Sequence, residues 1–133
     1  MKTVIEKNIA IEICVTSNMK TKASSIEEHP VEYFYSNGVD VIPCTDDKLM
    51  CDITLSDEYS ILHRKKNFGV GDLIVMMDNS FKHAFLPNNL KREMRIDALN
   101  SYFEILSNDG YSLSAIQNYP FVKKLTQEIE NEN

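Results

Sequence analysis

Two short apolar runs, residues 9–15 (IAIEICV) and 39–45 (VDVIPCT), stand out from a chain whose other apolar positions recur at helical spacing. The first run alternates and then fills in with apolar residues, as strands buried on both faces do. Ile11, Ile13 and Val15 fall on one face of that strand, and Ala10, Glu12 and Cys14 on the other. Between the runs, Ser25 and Glu28 have capping-box spacing, which predicts a helix over 26–36 with Val31, Phe34 and Tyr35 on its apolar side. His29-Pro30 then lies in the first turn, where the missing proline N–H would be unpaired anyway, and Asn37-Gly38 supplies a left-handed stop. Strand, loop, helix and strand make one βαβ unit, because parallel strands need a crossover.

On either side the pattern is helical. Residues 2–8 predict the last turns of a helix ending near Asn8. Thr16-Ser17-Asn18 reads as a polar exit from the first strand, residues 19–25 as a loop and 48–53 as a connection. Ser56, followed by Asp57 and Glu58, starts a helix that carries Tyr59 and Leu62 to about Asn67. The run Arg64-Lys65-Lys66 reads as its solvated end, complementing the helix dipole. Gly69 and Gly71 precede a helix over 72–84, in which Ile74, Met77, Phe81 and the end residue Phe85 form an apolar stripe. Leu86-Pro87 breaks the chain, Asn88 or Asn89 caps a third helix to about Leu106, and Asn108-Asp109-Gly110 is a turn. The remainder predicts a short helix over 113–118, a break at Pro120, an amphipathic segment with Phe121, Leu125 and Ile129, and a frayed tail over 130–133.

Composition narrows the class of protein. A chain of 133 residues, 43% apolar and 26% charged, predicts one soluble globular unit. It has no apolar run long enough to cross a membrane, and Glu6, Lys7 and Glu12 interrupt any signal-peptide core, so a cytoplasmic location without membrane association is the expectation. Cys14, Cys44 and Cys51 are odd in number and lie in or near apolar segments, which suits reduced thiols. A formal charge of -6 argues against a partner such as duplex nucleic acid, whose binders rely on Lys and Arg, and leaves a small polar substrate open.

The candidate chemistry sits at the strand ends. Asp46 and Asp47 follow the second apolar run directly. Adjacent carboxylates repel and lose hydration on burial, which a metal ion or a hydrogen-bonding ligand would offset; a helix cap or a solvated turn accounts for the same pair. Thr16, Ser17 and Asn18 serve equally as turn formers or as ligand contacts. Ligands of α/β folds gather outside the carboxyl ends of the strands, where both polar groups fall. His29 reads as a helix-start residue, His63 as a surface residue and His83 as a helix residue. Pro43-Cys44 has no second cysteine within three residues and the chain has no HxE, which excludes the zinc site of cytidine-type deaminases.

Taken as an ordered set, EICVTSN at 12–18, HP at 29–30, GVDV at 38–41 and CTDD at 44–47 resemble the C-terminal part of the adenosine deaminase family. IEICVTSN, MKTKASS and CTDDK are most similar to the adenosine deaminase-like branch that acts on N6-methylated AMP. TLSDEYSIL at 54–62 and NSFKHAFLP at 79–87 also resemble the family, so that the likeness covers roughly residues 4–100. The resemblance implies a (β/α)8 TIM barrel with a catalytic zinc at the C-terminal face of its strands, residues 9–15 matching the seventh strand and 39–45 the eighth. It implies that Asp46 is a catalytic residue and zinc ligand that also holds the attacking water, and that Asp47 binds a ring nitrogen of the purine. The implied reaction is hydrolytic deamination at purine C6 of an adenosine, AMP or N6-methyl-AMP type substrate, with zinc generating hydroxide near neutral pH.

The chain also departs from that pattern. The family takes its histidine ligands, catalytic glutamate and second histidine from earlier strands, and no HxH occurs here. His29, His63 and His83 do not match the ligand positions, and Lys48 stands where classical members often have Pro. Such barrels run to about 250 residues. The expectation is therefore an α/β C-terminal fragment of a TIM barrel, about two parallel strands followed by several helices, with a partial deaminase domain over 1–106 and a helical extension over 107–133. Alone, such a chain is expected to be inactive, with one zinc ligand present and the others in a missing N-terminal portion. The alternative is a non-catalytic remnant or binding module that associates with a partner or with itself, since two parallel strands leave unpaired edges.

Overall fold

The computed structural model describes residues 1–110, 112 and 120–131. The chain divides into two compact units, Met1–Asn79 and Ser80–Asn133.

In the first unit the order is α1 (Lys2–Glu6), β1 (Ile11–Ile13), α2 (Val15–Lys20), α3 (Val31–Ser36), β2 (Val41–Pro43), α4 (Lys48–Cys51) and α5 (Leu55–Lys66), with most of α6 (Val70–Lys82). The strands pair in parallel, Ile11 with Val41, Glu12 with Ile42 and Ile13 with Pro43. Both are shorter than the apolar runs suggest. Val15, expected in the strand, is the first residue of α2, and Thr16, Ser17 and Asn18 lie inside that helix rather than in a turn. Its first amides are held by a carboxylate from α5, an interaction that no local pattern encodes.

The crossover is also rearranged. Ser25 and Glu28 do make the capping contact, the Glu28 amide donating to Ser25 Oγ at 3.2 Å. The turn over 26–28 nevertheless stops, and α3 begins at Val31. Proline disfavours helical backbone at the residue before it, so His29 interrupts the run and Pro30 becomes the cap. Gly38 takes a left-handed φ of 78° after α3, as Asn37-Gly38 predicts. Helix α5 starts at Leu55, and its cap lies two residues before Ser56, where Thr54 and Asp57 form a reciprocal capping box. The connection over 48–53 contains α4, closed by Asp52 in left-handed geometry.

The core of this unit gathers Ile13, Val15, Val31, Val41, Leu62, Phe68 and Met76, one or more from each of β1, α2, α3, β2, α5 and α6. Tyr35 packs edge-on against Phe68 with centroids 5.3 Å apart. All three residues of β2 are buried, whereas Glu12 of β1 is exposed. In a parallel ladder alternate residues turn their main chain to the neighbouring strand. Here Ile11 N donates to Asp40 O and Cys44 N to Ile13 O, which leaves the main chain of Val41 and Pro43 facing the far edge of β2. Pro43 has no N–H to offer there, and Val41 O accepts from Asn79 Nδ2 at 3.1 Å. A side chain of α6 thus closes what sequence reasoning leaves as an open edge. Within α6, Ile74 and Met76 are the buried apolar residues; Met77 is half-buried, and Phe85, beyond the last helical residue Lys82, is exposed.

The second unit holds α7 (Asn88–Asn108) and α8 (Pro120–Asn131). Val122, Leu125 and Ile129 of α8 are buried at helical spacing, and Arg92 Nε donates to Ile129 O at 3.1 Å. Residues 130 and 131 belong to this helix rather than to a frayed tail. The helix expected over 113–118, the side chain of Phe121 and residues 132–133 lie outside the described residues. No helix among the described residues is long and apolar enough to cross a membrane.

Candidate functional site

The polar groups converge at the carboxyl ends of β1 and β2. Helix α2 opens on Cys14, which provides no side-chain cap. The free amides of its first turn are satisfied instead by Glu58 of α5, whose Oε2 accepts from Val15 N at 2.9 Å and Oε1 from Thr16 N at 3.0 Å. Glu58 is 0% exposed. A buried carboxylate at a helix N-terminus is stabilised by two charge-assisted hydrogen bonds and by the positive end of the helix dipole. The next residue, Ser17, is buried and donates through Oγ to Asp46 Oδ2 at 2.7 Å, joining the end of β1 to the loop after β2 across 29 residues of sequence.

Asp46 and Asp47 are both exposed but do different things. Asp46 adopts a left-handed φ of 56°, which aspartate tolerates better than most residues and which turns the chain sharply at the strand end. Asp47 caps α4, its Oδ1 accepting from Met50 N at 3.0 Å. The cap, one of the two explanations open at the sequence level, therefore describes Asp47. Beyond it, Leu49 and Met50 are 90% and 76% exposed.

Asn18 meets His29 at 3.1 Å through Nε2, and His29 Nδ1 accepts from Val31 N at 3.3 Å. His29 is thus a buried link between α2 and α3, placed just ahead of α3 rather than in its first turn. A neutral ring that accepts the Val31 amide at Nδ1 donates from Nε2, and it bonds Asn18 with the side-chain amide turned to present its oxygen. Burial depresses its pKa below the ordinary 6.5, the ammonium of Lys66 depresses it further, and Glu58 opposes both. Lys66 is a second correction: its ammonium is buried and donates to Glu27 O at 3.0 Å and Glu32 Oε2 at 3.1 Å. His63, in contrast, is exposed as expected, with Nδ1 2.8 Å from Phe68 O.

The cysteines are free. Burial, then Cys44, Asp46, Glu58 and Glu12, push the Cys14 thiol up to about 11. Burial, Glu12 and Glu58 also raise Cys44. Both are protonated thiols near neutral pH, too weakly ionised to act as nucleophiles. A catalytic zinc takes three protein ligands and an open position. Asp46 is one acidic donor, and among the described residues no group of three or more His, Cys, Asp and Glu comes together. These donors do not complete a zinc centre.

Glu58 and Lys66 were readable in principle. Glu58, Leu62 and Lys66 are spaced by four and share one face of α5, and Leu62 already marks that face as apolar. Acidic and basic residues at opposite helix ends usually serve the dipole, and that association hides the stripe.

Comparison with known proteins bears on this geometry. A model of the adenosine deaminase family matches residues 1–101. A probable adenosine deaminase of Dictyostelium discoideum is 35% identical over 114 residues, covering 85% of this chain and 15% of the relative. The adenosine deaminase of Plasmodium vivax (strain Salvador I) is 34% identical over 99 residues, 74% of this chain and 26% of that protein. The adenosine deaminase of Clostridium botulinum (strain Langeland / NCTC 10281 / Type F) is 33% identical over 95 residues, 71% and 28% respectively. The chain therefore spans less than a third of the length of each of these relatives.

Proposed function

This chain belongs to the adenosine deaminase family, and on that premise we propose that it supplies one edge of a zinc-dependent purine aminohydrolase site. In this reading residues 9–15 and 39–45 are the seventh and eighth strands of a (β/α)8 barrel, and residues 107–133 are a helical extension outside the partial domain over 1–106. The reaction is hydrolytic deamination at C6 of adenosine, AMP or an N6-methylated AMP. Among the described residues Asp46 is the zinc ligand that this chain offers, and Asp47 reaches a purine ring nitrogen with the carboxylate oxygen that does not cap α4.

The observation that carries the reading is the pairing of Ser17 with Asp46. The ends of two adjacent parallel strands combine to fix one carboxylate, at the edge of a sheet where α/β enzymes bind their ligands. His29 and His63 are engaged by Asn18, Val31 and Phe68, and none of His29, His63 and His83 matches the family's ligand positions, which supports histidine ligands drawn from outside this chain. No step through the metal follows from the residues present.

Residues 1–133 supplied with zinc are expected to convert none of adenosine, AMP and N6-methyl-AMP; turnover abolished by Asp46→Ala would overturn the incompleteness of the site. Fused to the part of the Dictyostelium relative that the match does not cover, the chain is expected to gain activity that Asp46→Ala removes. A fusion that stays inactive, or that survives Asp46→Ala, argues against the role given to Asp46.

A second reading, a non-catalytic module that associates with itself, is favoured by the exposure of Leu49, Met50 and Phe85. Light scattering discriminates it: a monomer at all concentrations removes its support.

A further inference from the structure

We propose that Glu58 is a positioning residue for Asp46, acting through the N-terminus of α2 and the hydroxyl of Ser17. The inference rests on the reading of Asp46 as a site residue, but its geometry stands independently. Glu58 lies on α5, 43 and 42 residues from the amides of Val15 and Thr16 that it holds. Its carboxylate is fully buried, and both oxygens are occupied by consecutive amides of one helical turn. Consecutive amides fixed at two points leave the turn little freedom to rotate about its axis, so the direction of the following side chain is set. That side chain is Ser17, whose hydroxyl reaches Asp46 at 2.7 Å.

The far end of the relay needs such a restraint. Asp46 is exposed, and its backbone is left-handed, a conformation that an L residue with a free side chain populates sparsely. The loop itself supplies little to hold the carboxylate: Thr45 Oγ1 contacts the Asp46 carbonyl at a long 3.4 Å, and Asp47 is turned toward α4. Among the described residues the bond that holds this carboxylate comes from Ser17, and Ser17 sits one residue beyond the amides that Glu58 fixes. The same helix then sends Asn18 to His29, so a rotation of α2 would break both contacts together.

A purely stabilising role for Glu58 makes a different prediction, which nuclear magnetic resonance of the full chain separates. The readout is the pair of Hα–Hβ couplings of Asp46, unequal for a single rotamer and equalised when rotamers average. Ser17→Ala is expected to equalise them without disturbing the remainder of the amide spectrum. Glu58→Gln, which offers one acceptor oxygen in place of two, is expected to equalise them to the same extent, with no further change in the double variant. Glu58→Asp, retaining the charge on a shorter arm, gives an intermediate effect and serves where Glu58→Gln does not fold. Leu62→Ala, one turn along the same face of α5, lowers stability and leaves the Asp46 couplings unequal. Unchanged couplings in Ser17→Ala or in both Glu58 variants would overturn the proposal, as would equalised couplings in folded Leu62→Ala. These couplings are read without substrate or metal, so this proposal and the proposed activity fail by different results.

Discussion

Replacing Asn79 tests how the outer edge of β2 is closed. Asn79 is 5% exposed and its Nδ2 donates to the carbonyl of Val41, itself 0% exposed, at 3.1 Å. Asn79→Ala removes the donor and leaves a buried carbonyl unpaired, which costs about 1–3 kcal/mol for the unsatisfied group, with a smaller addition for the space left by the amide. Asn79→Asp is nearly isosteric yet places an acceptor against an acceptor in a buried setting. At neutral pH it forfeits the hydrogen bond and adds a desolvated charge facing a carbonyl oxygen, so its loss exceeds that of alanine, on the order of 3–5 kcal/mol. Either loss is a large part of the roughly 5–15 kcal/mol that stabilises a typical domain.

The aspartate variant carries its own control in pH. Burial and the facing carbonyl raise the folded-state pKa of the new carboxyl above its unfolded value of about 3.9. The native state then binds a proton before the unfolded state does, so stability rises as pH falls through the folded value, and a protonated carboxyl can donate to Val41 O. Urea unfolding of wild type, Asn79→Ala and Asn79→Asp at neutral and mildly acidic pH measures both effects. The expected result is the order wild type, alanine, aspartate at neutral pH, and a narrowing gap between the two variants on acidification. Equal stability of the two variants at neutral pH, with parallel pH dependence, would refute the edge-closing role of Asn79.

Three further outcomes follow from the same contacts. His29 is held neutral by burial and by Lys66, against the opposing pull of Glu58. Its folded pKa lies below the unfolded 6.5, so its contribution is complete above that value and declines as pH falls toward the folded pKa. Unfolding measured through this window is expected to show the loss, and a His29 variant to flatten it. Lys66→Met keeps the apolar stem but abandons Glu27 O and Glu32; about 1–3 kcal/mol of stability is expected to go, and an imidazole titration should show the His29 pKa rising, whereas an unmoved pKa would separate the two residues. With Cys14 at about 11 against an ordinary 9.0, its thiolate fraction in mildly alkaline solution is about a hundredfold lower than that of a free thiol. Alkylation of Cys14 followed by mass spectrometry should be correspondingly slow, and rapid labelling near neutral pH would contradict the burial that causes the shift.

What the sequence determines by itself is local and sequential. Alternating apolar runs place two strands around a crossover, Asn37-Gly38 ends a helix with left-handed backbone, and the ordered set from EICVTSN to CTDD carries the family and puts Asp46 at a strand end. These depend on neighbours within a few residues, where periodicity and turn chemistry act. Even so, Pro30 overrides the cap at Ser25, because one steric clash outweighs a favourable start. The tertiary structure decides which polar side chain meets which. Helical spacing marks Glu58 and Lys66 as members of the Leu62 face, but not that one caps α2 and the other joins Glu27 and Glu32. Asn79 on Val41, His29 on Asn18 and Ser17 on Asp46 are likewise matched across 11 to 38 residues of sequence. A buried polar group must find a partner or carry a cost of a few kcal/mol, yet that requirement holds for any partner within reach. Reach is set only when the strands pair and the helices pack over them. The position of Asp46 therefore belongs to the sequence, and the hold on its carboxylate to the fold.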